Sequence, residues 1–317
     1  MPIVVAPYSH SDAAEWDKLV ENSTSGTFLH TRRFLAYHRD RFVDTSVCIW
    51  DDAVLIGVLP AASASEDASR VVSHPGLSYG GLVHGGKLRG QDMLSVWGSV
   101  LEHYSARGFK SLCYKAVPTI YQRAPAQDDI YAIFRHSGRR YRCDLSVVID
   151  LRFRLGMSSR RKRGVKKAIK AAIVVSDDPN HATELWAVLE RNLAEGHNAK
   201  PTHRLDEILY LREQFPRNVY FVTARVNDVI VAGIVLFLTS TVLHTQYICS
   251  NELGNTVCAL DLVFSTSIDM AIRHNLRYFS FGICNENDGN ILNEGLYRFK
   301  SEFGGAGVAH DFYEMML

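Results

Sequence analysis

The chain has no apolar run longer than ten residues. The longest, VIVAGIVLFL (229–238), is too short to span a bilayer as a helix. Its first residues, MPIVVAPYSHSD, lack the basic segment and apolar block of a secretory signal. Cysteines are few and scattered, at positions 48, 113, 143, 249, 258 and 284, with no C-x-x-C pair. That pattern excludes a zinc ribbon or disulfide scaffold and predicts reduced, buried thiols in a cytoplasmic protein without a bound metal. The 151–180 region has no Pro- or Gly-rich linker, and no heptad-rich insertion of the coiled-coil type occurs. Net charge is nearly absent as well, at +1. With 317 residues, 47% of them hydrophobic, the chain is long enough for two globular domains, each with its own core.

The small net charge conceals two zones of opposite sign. From Arg135 to Lys170 there are thirteen basic residues against two acidic ones, Asp144 and Asp150, so the rest of the chain is correspondingly acidic. The densest part, SSRRKRGVKKAIK (158–170), holds seven cations in thirteen positions. Such a patch attracts a partner rich in phosphate or carboxylate; the plain alternative is a solvated helix face. Val165, Ile169 and Ile173 recur every four residues, which predicts a helix that turns this apolar row to the core. Arg163, Lys166, Lys167 and Lys170 then form an outward ridge.

The same plan occurs twice. TSVCIW and NVYFVTARV each lead through a short polar turn, at Asp51-Asp52 and Asn227-Asp228, into a second apolar run with a glycine five residues beyond the second Asp, Gly57 and Gly233. Strand, tight turn, strand is the signature of a hairpin. Each copy continues through more strand-like sequence into a helix (about 91–106 and 258–273) and another strand. The first copy is longer by nine residues, placed in 63–70 or 81–90. This predicts two tandem α/β units with mixed sheets, divided as 1–150 and 151–317.

The segments HTRRFLAYHRDRF (30–42), SHPGLSYGGL (73–82), SSRRKRGVKKAIK, HTQYI (244–248) and FGICNENDGNILNEGLYRFKSEFGG (281–305) resemble the tandem-GNAT, Fem-related acyltransferases over nearly the whole chain. LNEGLYRFKSEFGG is the most specific of them. The resemblance implies two GNAT-like (acyl-CoA N-acyltransferase) domains packed around a cleft, the first on the acceptor side, the second holding the donor and the chemistry. It implies transfer from acyl-CoA, acetyl-CoA first, to an amino sugar, a small nucleotide-linked acceptor in surface-polysaccharide biosynthesis. The Fem-type alternative takes its acyl group from aminoacyl-tRNA for a cell-wall precursor. A catalytically silent phosphate or nucleic-acid binding module is the alternative from another class.

In GNAT enzymes the donor's pyrophosphate sits in the loop between the central strand and the next helix. Here that loop is SNELGNTVCALD (250–261), which retains one glycine, Gly254, of the usual R/Q-x-x-G-x-G/A pattern. Gly254, Asn255 and Thr256, with Lys166 and Lys167, are the candidate donor contacts; helix-start amides and a positive dipole end favour an anion there. The alternative is a simple cap at Asn255 or Thr256.

Aminolysis of a thioester needs a proton acceptor, and histidine titrates in the right range. His203 is the first candidate base, at a helix start after Pro201-Thr202, with Glu207 and Asp206 placed to orient it. His244 and Tyr247 on the central strand follow, assigned by alternation to opposite faces. Lys300 enters through the YRFK resemblance as an electrostatic contact. His197, Glu286 and Asn293 are candidates on the acceptor side, together with His30, Tyr79, Gly80 and Lys115 of the first unit. Each has a structural alternative, as a core histidine, a strand bend or a surface charge.

Overall fold

The computed structural model describes residues 3–197 and 200–317. Contacts divide the chain into two compact units. One comprises Met1–Leu145, Asn285–Ile291 and Ala309–Leu317; the other comprises Ser146–Cys284 and Leu292–Val308. The boundary at Leu145/Ser146 therefore falls within the strand Arg139–Asp150, five residues before the division expected at 150, where that strand ends. The C-terminal strand, Ala306–Met316, is likewise shared, so its last residues belong to the first unit and not the second. Local composition cannot show where a continuous strand changes partners.

In the first unit, Val4–Pro7, the hairpin Val47–Asp51 and Val54–Leu59, and the short strand Val83–His84 form an antiparallel sheet. Arg70–Val72 runs parallel to Ser111–Lys115, which pairs antiparallel with Phe312–Met316. Helix Gln91–Ala106 buries Met93, Val96, Trp97, Val100 and Tyr104, a stripe at three- and four-residue spacing. The stripe packs on Val47, Ile49, Ile56 and Leu59.

In the second unit, Val219–Val226, Val229–Leu238 and Val242–Ser250 form a meander with Val174–Ser176 at its outer edge. The strand Tyr278–Ile283 runs parallel to the central Val242–Ser250 strand. Helix Ala259–Arg273 presents Val263, Phe264, Ile268 and Ala271 to Ala232, Ile234, Leu236 and Leu243 on one face. Helix Ala182–His197 covers the other, where the Trp186 ring meets Tyr247. No described helix is long and apolar enough to cross a membrane.

The two units share the duplicated plan. Asn227 and Asp228 both have positive φ, 46° and 62°, in a two-residue turn between paired Val226 and Val229. The first turn lies one residue later than expected, at Asp52-Ala53 between paired Asp51 and Val54. Gly57 faces Ile49 and His84; Gly233 faces Thr223 and Cys249. Both hairpins have a register irregularity near that glycine, one residue before Gly57 and two before Gly233. The first copy has an excursion at 73–82, lying mostly between the two places expected for its extra residues, 63–70 and 81–90. It splits the third strand into Arg70–Val72 and Val83–His84. Gly80 permits the excursion because a Cβ there would lie 1.9 Å from the Ser73 carbonyl oxygen.

The basic helix, Ser159–Lys170, forms as expected but turns a different face inward. Arg161, Gly164 and Ala168 are buried, whereas Ile169 is 60% exposed. The reason is the closeness of helix Ala259–Arg273. A Cβ on Gly164 would lie 1.7 Å from Asp261 Oδ2, so small side chains define the contact. Of the expected row, Ile173 is buried in the core and Val165 half-buried, and Ile169 alone faces out.

Candidate active site

The central strand and its parallel neighbour pair only at Val242–His244 with Tyr278–Ser280. Beyond that point Gly282 adopts φ +75°, and the neighbour's register with the Arg139–Asp150 strand also shifts between Ser280 and Ile283. The central strand has its own irregularity there: Thr245 faces Leu236, Tyr247 faces Val235, and Gln246 is the extra residue. Such a bulge resets the alternation of side chains. His244 faces Phe237 and Tyr247 faces Val235, two positions apart on one strand. His244 and Tyr247 therefore share a face, contrary to the alternation read from the sequence.

On that face His203 Nδ1 lies 2.6 Å from Tyr247 Oη, and the His203 backbone N–H donates to the same oxygen at 3.1 Å. In the tautomer with the ring hydrogen on Nε2, the phenol donates its proton to Nδ1. His203 is 6% exposed, and its ring stands edge-on to Phe237 and to Tyr247. Burial raises the Tyr247 pKa, opposed by hydrogen bonds from the His203 backbone, Thr202 and Gln246, so the phenol keeps its proton. Glu207 is a cap here: its carboxylate accepts the Arg204 N–H at 2.9 Å at the start of helix Leu205–Gln214. Asp206 is exposed and held by the Arg204 guanidinium. The side chain of His197 lies outside the described residues.

His244 Nδ1 lies 3.1 Å from Ser280 Oγ, which also accepts the Gly282 N–H at 3.3 Å. Lys300, expected as an electrostatic contact to donor or acceptor, lies inside the unit. It is 4% exposed, and its Nζ donates to the carbonyls of Ile283 (2.7 Å) and Gly282 (3.3 Å). Burial lowers its pKa, partly offset by the nearby Cys284 thiol. Its ammonium thus fixes the backbone at the parting of the strands. Asn293 caps helix Glu294–Ser301, its Oδ1 accepting the Leu296 N–H at 2.9 Å. Glu286 is exposed within a segment of the first unit.

A cavity of about 420 Å³ in the second unit unites the basic helix with the 250–261 loop. Arg160, Arg163 and Lys167 line it together with Gly254, Asn255 and Phe299. Lys167, Gly254 and Asn255 were expected here, but Lys166 and Thr256 are not among its lining residues. Lys166 lies farther round the helix, and the Thr256 hydroxyl donates to Glu252 O. The loop folds as a short helix, Glu252–Thr256, capped by Asn251, whose Oδ1 accepts the Gly254 N–H. Gly254 is required by close packing, since a Cβ would lie 2.4 Å from Val231 O. Of the four cations at the wall, Arg161 is committed to Asp261, also at the wall, and to Glu302, so what the cavity offers an anion is Arg160, Arg163 and Lys167. Sequence reading did not select Arg160, and only its i, i+3, i+7 spacing with Arg163 and Lys167 could have done so.

The first unit's candidates form an internal network. His30 is fully buried: its Nε2 meets Gly80 O at 2.7 Å and its Nδ1 receives the Thr27 N–H at 3.0 Å. Tyr79 is buried and donates to Thr27 Oγ1. Lys115 Nζ donates to the carbonyls of His74, Pro75 and Leu77. Burial lowers its pKa to about 8. With Gly80 these residues pin the 73–82 excursion, and their polar atoms are spent on the fold rather than offered to an acceptor. Burial also holds the His30 and His310 pKa values down to about 4. Unfolded histidines bind protons near pH 6.5, so the unfolded state gains protons first and stability is lost as pH falls from about 6.5 towards 4. Each ring contributes roughly 3 kcal/mol to that loss. Chemical unfolding at pH 7 and pH 5 should show it, and His30→Gln should flatten the dependence.

Compared by sequence, no family model and no curated protein matches the chain. Compared by structure, it is similar to FemX at 11% identity and a TM-score of 0.70, with 99% of this chain and 97% of that chain covered. L-PGS from Bacillus licheniformis matches at 11% identity and 0.62, over 97% and 92% of the two chains. A tandem GNAT protein from the clavulanic acid biosynthesis pathway matches at 9% and 0.52, over 99% and 98%. The chain has the tandem GNAT-like, Fem-related fold.

Proposed function

We propose that the chain is an N-acyltransferase whose second unit binds a phosphate-bearing acyl donor and carries out the transfer. The first-choice donor is acyl-CoA. The proposed acceptor is the amino group of an amino sugar, carried on a nucleotide and destined for a surface polysaccharide. The observation that supports the donor class is the cavity bearing Arg160, Arg163 and Lys167 beside the loop before helix Ala259–Arg273. Its cations suit a pyrophosphate, although the usual cradle of loop amides is reduced.

The His203–Tyr247 pair supplies the proton path. As the amine nitrogen bonds to the acyl carbon, Tyr247 Oη takes its proton and passes its own to His203 Nδ1. The bond from acyl carbon to leaving sulfur breaks, and the proton returns through Tyr247 to that sulfur. No covalent enzyme intermediate is required, and the two residues end as they began. Lys300 and Ser280 hold the backbone and His244 beside the path. We place the acceptor-recognising role in the first unit through residues other than the buried His30 network.

A second reading takes aminoacyl-tRNA as donor, favoured by the fold's likeness to FemX and by cations in excess of what one cavity uses. Salt separates the two. A small donor gives a modest dependence of affinity on ionic strength, whereas tRNA gives a slope that steepens with each phosphate neutralised. Arg163→Ala plus Lys167→Ala should weaken acetyl-CoA binding at least tenfold, measured by calorimetry, with the melting temperature nearly unchanged because both side chains are exposed. Lys166→Ala should leave that affinity alone. Loss of charged-tRNA binding with no acetyl-CoA binding in either protein would favour the second reading.

A further inference from the structure

The cavity uses only part of the basic segment, and the remainder faces away from it. Between Leu151 and Ser176 there is no acidic residue. Eight of the nine cations in this stretch are exposed, Arg161 being the buried exception. On helix Ser159–Lys170, Lys162, Lys166, Ile169 and Lys170 follow i, i+4, i+7, i+8 spacing and share one stripe. Arg160, Arg163 and Lys167 lie to its side, on the cavity wall. The stripe carries an exposed apolar residue, Ile169, at 60%. In the loop just before the helix, Phe153 is 82% exposed and Leu155 50%, between and beside Arg152 and Arg154.

Single exposed apolar side chains need no explanation. Here three of them occur in one segment that is otherwise cationic and free of acid. We propose that the outer face of residues 151–170 docks on an anionic lipid surface, with Phe153 and Leu155 entering the headgroup boundary and the lysines and arginines meeting lipid phosphates. Two kinds of side chain decide between membrane and nucleic acid. Cations and a lone Phe would serve either, since bases stack on aromatic rings. Exposed Leu155 and Ile169 gain nothing from a base or a phosphate but do gain from an acyl boundary, where an amphipathic basic segment lies flat. The long side chains of Arg152 and Arg154 can reach up to the headgroups while their stems stay beside Phe153.

The test uses the full-length chain with Phe153→Trp as a reporter. Vesicles of phosphatidylcholine with about 30% phosphatidylglycerol should shift its emission to the blue, and brominated acyl chains should quench it. Phosphatidylcholine alone should do neither, and salt should weaken the binding. Phe153→Ala plus Leu155→Ser should lower vesicle partitioning by about tenfold or more, as should Lys162→Gln plus Lys166→Gln. Both pairs are exposed, so unchanged melting temperatures and unchanged acetyl-CoA binding separate a failure here from a failure of the acyltransferase reading. Absence of partitioning, or partitioning equal in the variants, overturns the proposal. So does single-stranded RNA that quenches the reporter while vesicles leave it unshifted, an outcome that assigns the face to nucleic acid.

Discussion

His203→Ala is expected to lower turnover by about 10²–10⁴-fold, the usual contribution of a positioned general base. Donor affinity should stay close to that of the parent, because the cations of the proposed donor cavity come from a different helix. Tyr247→Phe should cost a comparable factor. It keeps the ring against Trp186, where the centroids lie 5.3 Å apart, so it isolates the hydroxyl from the packing. If the two residues pass one proton between them, the double variant should be little slower than either single one, since groups acting as a unit are strongly non-additive. Steady-state and single-turnover rates at saturating donor would show this. Nearly full turnover in His203→Ala would remove the pair from the chemistry. His244 would then be the next base to test, since it shares the face.

The pair's members were both visible in the sequence, but their meeting was not. His203 stood out as a histidine after Pro201-Thr202 at a helix start, and Tyr247 as an aromatic on a strand. Regular alternation set His244 and Tyr247 on opposite faces. One extra residue, Gln246, reverses that, and nothing in HTQYI announces a bulge. The basic helix misled for a related reason. Apolar spacing pointed to Ile169 as buried, yet helix Ala259–Arg273 comes so close that Gly164 and Ala168 form the contact.

The hairpins were legible because tight turns have a local chemistry. Asn227-Asp228 accepts positive φ at both positions, and Asp52 does so at one. The 73–82 excursion was not, because its anchors are distant in sequence: His30 and Lys115 reach it from either side. A histidine that holds a loop and one that moves a proton look alike as letters. Only the contacts of its ring nitrogens, Nδ1 with Thr27 and Nε2 with Gly80, show that His30 holds the loop. The 250–261 segment does adjoin the basic helix, with Lys167 rather than Lys166 brought to it.

Arg161→Ala is expected to destabilise the second unit by about 3–5 kcal/mol, the cost of stranding a buried charge. Against a total stability of roughly 5–15 kcal/mol that is a large fraction. The side chain is 8% exposed and bonds Asp261 Oδ1 at 2.5 Å and Glu302 Oε2 at 2.9 Å. Its guanidinium also covers the rings of Phe299 and Phe303, 4.7 and 5.6 Å from their centroids. Glu302 keeps Arg298 at 3.4 Å when Arg161 is lost, but Asp261 is 6% exposed and loses its bonded cation. Burial already raises the Asp261 pKa against the pull of Arg161. Without Arg161 it should rise further. A carboxyl whose folded pKa lies above its unfolded value contributes stability at low pH that disappears as pH rises through the folded pKa. The deficit of Arg161→Ala should therefore be larger at pH 7 than at pH 5, as read from urea midpoints. Arg161→Met combined with Asp261→Asn should recover part of the loss by removing both charges while filling the volume. A deficit below about 1 kcal/mol at pH 7 would mean that apolar contacts alone hold the close approach of the two helices at Gly164, and that the buried ion pair contributes little to it.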